Sequence, residues 1–461
     1  MMKITGSQLR EERENKNLSQ SKLSELSGIS QHLLSAFENE KIYLDDLQIK
    51  TITKILNNQK IIDEIVNRKK RVQKYKYQEN NKLPERVAKA KKSKNNNEYV
   101  EILNGLYQKH ISKNKKFNAI SLFSGCGGFS LGFSAAGFNI KGFVELDPKL
   151  REIYKLNFKD CLEIGGDIQS VGDESIKKLK EEFGEIDAII GGPPCQGFSL
   201  SGKRDKNDPR NKLFLHYISF LEHIKPKFAV LENVRLLSSM KGSDNKLVID
   251  QIYHQFHKNG YKVKSFEVNV KNYGVPQHRE RIFFIAIRSD IENEPQFPPQ
   301  LFSNDIDMFN VHQEYRTFAD ACSDLDFLES GQESINDCYH KAVSHPQHVI
   351  DWLWDVKEGM SAHENEDPKN RPPSGYNTTY KRQVWNDVAS TVQTTFGMIS
   401  GCRNVHPIAT RSLTIREASR IQSFPDKYKF CGALGTIRTG IGNAVPPLLA
   451  YQIANYLKKI I

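Results

Sequence analysis

Seven cysteines in 461 residues stand far apart, and no two share a C-x-x-C spacing. That scarcity excludes a disulfide framework and a structural zinc site, and it fits a reducing cytosol. Long apolar runs are missing too: no stretch approaches the roughly 18 consecutive apolar residues of a membrane span. A hydrophobic content of 38% and a mean hydropathy of −0.56 describe a soluble chain. The opening Met-Met-Lys-Ile-Thr-Gly lacks the apolar region of a signal peptide. No phosphate-cradling loop with its lysine is present, which points to a nucleoside-like ligand rather than a triphosphate. These absences predict a cytoplasmic, membrane-free protein with no metal site, long enough for two or three domains.

What is present in excess is positive charge. The formal net charge is +11, with a pI near 9.0. Residues 66–116 hold 16 Lys and Arg against 4 Asp and Glu, a net of +12, so the rest of the chain sums to about −1. A basic arm that meets phosphate has this distribution. A solvated, disordered linker accounts for it equally well, and Pro84 is placed to start a helix within it.

Residues 1–65 read as a small helical bundle. Thr5 with Gln8 fits a capping box opening a helix that carries Leu9. A second helix runs from about Ser19 to Leu26, Ser27-Gly28-Ile29 makes a tight turn, and a third helix spans about Ser30 to Asn39. Leu34 and Phe37 of that helix face inward. Two short helices joined by a glycine-containing turn form the helix-turn-helix pattern. The order of residues resembles the phage-repressor (Cro/C1) type. That resemblance implies that the third helix enters the major groove of double-stranded DNA, with Gln31, His32 and Ser35 near base edges and Gln20 near a phosphate. A bundle used for dimerisation is the alternative.

From Asn118 onward, apolar strands alternate with helices. Ala119–Phe123 runs into Ser124-Gly125-Cys126-Gly127-Gly128-Phe129 and then a helix, a strand–glycine turn–helix that lets backbone approach a nucleotide-like ligand. A tight structural turn would look the same. The next strand, about Ile140–Val144, ends at Glu145, a carboxylate about 20 positions beyond the glycines that suits two ribose hydroxyls. Asp167, after another strand-like turn, is placed to accept from an adenine amino group. Asp187–Ile190 then ends in Gly191-Gly192-Pro193-Pro194, which cannot continue a ladder because proline lacks the N–H. The turn presents Cys195 at the carboxyl end of a parallel strand, where open α/β sheets bind ligands. A buried, inert cysteine is the bland reading. Phe228–Leu231 ends at Glu232 on the same sheet edge, where burial would raise a carboxyl pKa and let it act as an acid. A helix-capping or surface carboxylate is the alternative there. Arg279 and Arg281 enter the apolar run Ile282–Ile287 and need a partner.

Five motifs in this order resemble the C5-cytosine DNA methyltransferase family: Phe123-x-Gly125-x-Gly127-Gly128, Pro193-Pro194-Cys195-Gln196, Glu232-Asn233-Val234, Gln277-x-Arg279-x-Arg281 and Gly442-Asn443-Ala444-Val445. The match covers about residues 118–288 and 411–461. It implies an α/β, Rossmann-like S-adenosylmethionine-dependent methyltransferase core with an inserted small target-recognition domain. The all-α helix-turn-helix domain precedes it. The expected division is 1–65 helix-turn-helix, 66–116 basic linker, 117–288 catalytic core, 289–410 target recognition, and 411–461 the C-terminal part of the core.

The resemblance also implies roles. The Cys195 thiolate attacks carbon 6 of cytosine, turning the ring into an enamine that takes a methyl group from S-adenosylmethionine. Glu232 protonates or hydrogen-bonds ring nitrogen 3, while Arg279 and Arg281 stabilise the base oxygen and hold the thiolate and carboxylate. The base must leave the duplex to be reached. Ser199, Ser201, Lys203 and Arg204 fall on the family's mobile DNA-closing loop. Phe123, Gly125, Gly127, Gly128, Glu145, Asp167, Ile168, Pro194, Asn443 and Val445 line the cofactor pocket. The implied partners are double-stranded DNA, a promoter operator for the N-terminal domain, and a restriction endonuclease cutting the same site. A tRNA methyltransferase and a non-enzymatic regulator with a degenerate core are the competing readings.

Overall fold

The computed structural model describes residues 5–16, 18, 20–40, 42–58, 83–194, 213–241, 247–304, 313–401 and 403–461. These fall into two compact units, residues 1–88 and 89–461.

In the first unit, helices Gly6–Asn15, Gln20–Ser27, Gln31–Glu38 and Asp46–Leu56 close around Leu9, Leu23, Leu34, Phe37 and Ile52. Thr5 and Gln8 form the expected capping box, satisfying two backbone N–H groups that the first helix turn leaves unpaired. Gly28 takes a φ of +70°, which suits the turn between the second and third helices. Arg13 bridges the bundle from inside, donating to both carboxylate oxygens of Glu38 at 2.7 and 2.9 Å and to the Leu18 carbonyl.

The second unit is built on one seven-stranded sheet, in the order β3-β2-β1-β4-β5-β7-β6. Its strands are β1 Phe117–Leu122, β2 Phe138–Val144, β3 Leu162–Gly165, β4 Ala188–Gly191, β5 Phe228–Val234, β6 Tyr261–Asn269 and β7 Glu280–Arg288. The first five run parallel, whereas β7 is antiparallel to both β5 and β6. Burial on both faces explains the unbroken apolar runs of β1, β4 and β7. Edge strand β6 has polar residues scattered through it because much of it is only partly covered.

Two segments pack more closely than their composition predicts. Helix Asn96–Ile111, within the stretch read as a linker, buries Tyr99, Leu103 and Leu106. Residues 289–410, read as a separate smaller domain, contribute Phe318, Ala321, Trp385, Val392 and Phe396 to the same apolar core as the sheet. Among the described residues of this stretch, Val349, Leu353, Ala362 and Val405 form a small cluster apart from that core. The chain returns through helices Leu434–Asn443 and Pro447–Leu457. The last of these lies so close to helix Gly128–Ala135 that a Cβ on Gly132 would sit 2.4 Å from that of Ala450. Among the described residues no helix is long and apolar enough to cross a membrane.

Candidate active site

β4 and β5 are parallel neighbours, so their carboxyl ends deliver Gly192-Pro193-Pro194 and Glu232 to one edge of the sheet. The two approach closely: a Cβ on Gly192 would lie 2.9 Å from Glu232 Oε2. Asn233 fixes the pairing by donating its side-chain amide to the Pro193 carbonyl at 3.0 Å. The motif reading assigned Asn233 no role; its signal was a polar residue, 7% exposed, at the end of an apolar strand. Cys195, Ser199, Ser201, Lys203 and Arg204 lie outside the described residues. Pro194, the last described residue before them, is half-buried.

β7 brings the arginines. Arg281 pairs in register with Val234, and its Nε reaches back to Glu232 Oε1 at 3.0 Å. Arg279 is 1% exposed; its Nη1 donates to the Val392 carbonyl at 3.3 Å, while Nε and Nη2 are buried without a partner among the described residues. Burial holds its pKa well below the usual arginine range, the like charge of Arg281 adds to the shift, and Glu232 opposes it. Gln277 is structural: it accepts from the Val392 N–H at 2.9 Å and donates to Gln422, tying residues 389–392 to the strand. A cavity of about 850 Å³ opens beside this constellation, lined by Arg235, Ser238, Asn269, His278, Arg281 and Thr391 among others.

A second group gathers at the ends of β1, β2 and β3. Phe123, Gly125 and Gly127 all have positive φ (53°, 55° and 92°), so the turn after β1 is tightly wound. A Cβ on Gly127 would meet the Tyr428 hydroxyl at 2.5 Å, and one on Gly128 the Val445 carbonyl at 2.6 Å. Glu145 accepts the Gly125 N–H at 2.7 Å on one oxygen and the Asp147 N–H at 2.9 Å on the other. Burial raises its carboxyl pKa against those two bonds. Each carboxylate oxygen has capacity for a further donor, so this donor set fits the two ribose hydroxyls of S-adenosylmethionine. Asp167 uses one oxygen to cap the Gln169 N–H at 2.9 Å, and Ile168 is buried beside it. Asn443 is exposed at the end of its helix and Val445 is buried. Arg151, not anticipated, donates to the Glu145 and Leu146 carbonyls and pairs with Glu163 at 3.0 Å, joining β2 to β3.

In the first unit Gln31 and His32 are exposed and Ser35 is half-buried on the third helix. The Gln20 amide donates to Glu38 at 2.7 Å, so the residue expected at a phosphate already has an internal partner.

A parallel sheet ending in an antiparallel hairpin, with a glycine turn after β1 and a carboxylate after β2, defines the Rossmann-like methyltransferase class. Within that class the chain belongs to the C-5 cytosine-specific DNA methylase family, whose model matches residues 117–459. A helix-turn-helix model matches residues 9–62. The chain is 37% identical over 383 residues to the Type II methyltransferase M.DdeI of Desulfomicrobium norvegicum, covering 73% of this chain and 87% of that protein. It is 35% identical over 389 residues to the Type II methyltransferase M1.HphI of Haemophilus parahaemolyticus, covering 80% and 98%. A solved prophage-encoded DNA modification methyltransferase from E. coli shares the fold, with a TM-score of 0.58 at 24% identity over 75% of this chain and 99% of that one.

Proposed function

We propose that this chain methylates carbon 5 of a cytosine swung out of double-stranded DNA, with S-adenosylmethionine as methyl donor. The observation that carries this reading is Arg279. Among the described residues, two of its guanidinium nitrogens are buried without a partner beside the Glu232–Arg281 pair. An uncompensated buried cation costs several kcal/mol, and a pyrimidine carbonyl oxygen in that place would satisfy it.

Cys195, the residue after Pro194, forms the bond to carbon 6 as the ring's 5,6 double bond opens. Glu232 donates to ring nitrogen 3, drawing off the electron density that the attack creates. Arg281 holds the Glu232 carboxyl and Arg279 receives the base oxygen. S-adenosylmethionine, when bound, supplies the methyl group that carbon 5 takes up. Loss of the carbon 5 proton and departure of the thiolate restore the aromatic ring. Phe123, Gly125, Gly127, Gly128, Glu145, Asp167, Ile168, Pro194, Asn443 and Val445 form the cofactor pocket, and Ser199, Ser201, Lys203 and Arg204 meet the DNA. Residues 289–410 read the target sequence.

The Type II names of its relatives support a restriction–modification role in the cytoplasm, with an endonuclease cutting the same site. The helix-turn-helix unit supports binding to an operator through Gln31, His32 and Ser35. Methyl transfer from S-adenosylmethionine to duplex DNA and to tRNA separates the substrates. Transfer to duplex DNA is expected, and transfer to tRNA alone would contradict the reading.

A further inference from the structure

Most arginines of the C-terminal half have carbonyl or carboxylate partners. Arg382 donates to the carbonyls of Leu353, His406, Ile408 and Ala409 and to the Thr410 hydroxyl. Arg411 pairs with Glu417 through two bonds, Arg416 pairs with Asp337 and Asp426, and Arg420 with Asp324 and Asp426. Arg438 differs. Among the described residues it makes no ion pair or hydrogen bond, and its Nε is buried without a partner.

Its position is nevertheless built. The guanidinium lies against Gly397, where an added Cβ would fall 2.1 Å from Cζ and 2.2 Å from Nε and would displace it. The loop carrying Gly397 is pinned by Asn404, whose amide donates to the Thr395 and Met398 carbonyls at 3.2 and 3.0 Å. One helix turn further on, Gly442 meets the same segment, since its Cβ would lie 2.5 Å from the Thr394 N–H. Helix Leu434–Asn443 therefore runs along residues 394–397, and three residues before Thr394 is Thr391 in the wall of the cavity beside Arg281. Six residues span at most about 20 Å, so Arg438 lies within about six base pairs of that cavity at 3.4 Å per step.

We propose that Arg438 is a backbone-phosphate contact for the substrate duplex, a cation on the face between the cofactor-side helix and the target-reading segment. The proposal rests on the family's DNA substrate and on the base site lying at Glu232, Arg279 and Arg281, beside that cavity. A guanidinium offers a phosphate two parallel N–H donors. The carboxylate of the cofactor is the competing anion.

The test measures duplex affinity against salt concentration for the whole protein, with cofactor affinity measured separately without DNA. Arg438→Gln is expected to weaken duplex binding several-fold and to lower the slope of log K against log salt by about 0.9, one phosphate's share. Cofactor affinity should stay unchanged. Arg438→Lys should keep the slope. Gly397→Ala, which displaces the guanidinium without deleting it, should shift the slope as Arg438→Gln does. An unchanged slope in Arg438→Gln, or a loss confined to cofactor affinity, would overturn the proposal. A parent protein that neither binds nor methylates duplex DNA would instead fail the underlying reading.

Discussion

In the proposed reaction Cys195, Glu232, Arg279 and Arg281 share the chemistry, and the surroundings of Glu232 give two separable expectations. Glu232→Gln keeps the shape and the Arg281 contact but removes the acid, so the methylation rate should fall by roughly 10²–10⁴-fold. Single-turnover methyl transfer measures it; a rate within twofold of the parent would remove Glu232 from its assigned role. Gly192→Ala puts a methyl group 2.9 Å from the Glu232 carboxylate. Displacing that group should cost on the order of 10²-fold in kcat, while the melting temperature moves little. The residue types of this site stood out through five motifs in order, since each residue alone reads as readily as an inert one. What was not legible was what holds them. Asn233 and Tyr428 act through backbone carbonyls far away in sequence, and Tyr428 donates to the Cys126 carbonyl at 2.5 Å. No local spacing announces such a contact.

At the level of elements, strands buried on both faces were readable as apolar runs, and capped helices as boxes. Thr414 and Glu417 form such a box at the start of helix Ile415–Ile421. β6 escaped notice because Tyr261–Asn269 mixes lysines with scattered apolar residues, the pattern of a partly covered edge strand. Helix Leu434–Asn443 escaped because it carries three glycines, which lower helix propensity. Two of them, Gly440 and Gly442, are demanded by close approach to Cys126 and Thr394. Glu417 has a second function: it holds both nitrogens of Arg411, each side chain being at most 2% exposed. Removing one partner of such a pair leaves a buried charge, so Glu417→Gln should cost about 3–5 kcal/mol. Denaturant unfolding reads this as a lower midpoint.

Across the whole molecule, acidity should act through buried imidazoles. Burial lowers the His110 pKa from 6.5 to about 4, helped by the nearby Lys115 charge, and burial likewise lowers His345 to about 4. Between pH 6.5 and 4 the unfolded chain therefore binds protons that the folded one does not. Stability should be fully present above pH 6.5 and fall progressively as pH drops through this window. Glu417, whose carboxyl is held well below its usual range by Arg411 against its burial, adds a loss of the same sign at lower pH. Melting temperature against pH checks the trend, and His110→Gln should flatten part of it. The helix-turn-helix unit is tested separately: residues 1–88 should protect a discrete site in DNA upstream of the coding sequence, and no footprint there would sink the regulatory role. The proposed reaction needs the Cys195 thiolate at carbon 6 for methylation of carbon 5 of a sequence-defined cytosine. Bisulfite sequencing of host DNA expressing the parent chain or Cys195→Ala tests it most directly. The parent should leave protected cytosines in one recurring sequence and the variant none; protection that survives in Cys195→Ala, or is absent from both, would contradict the account.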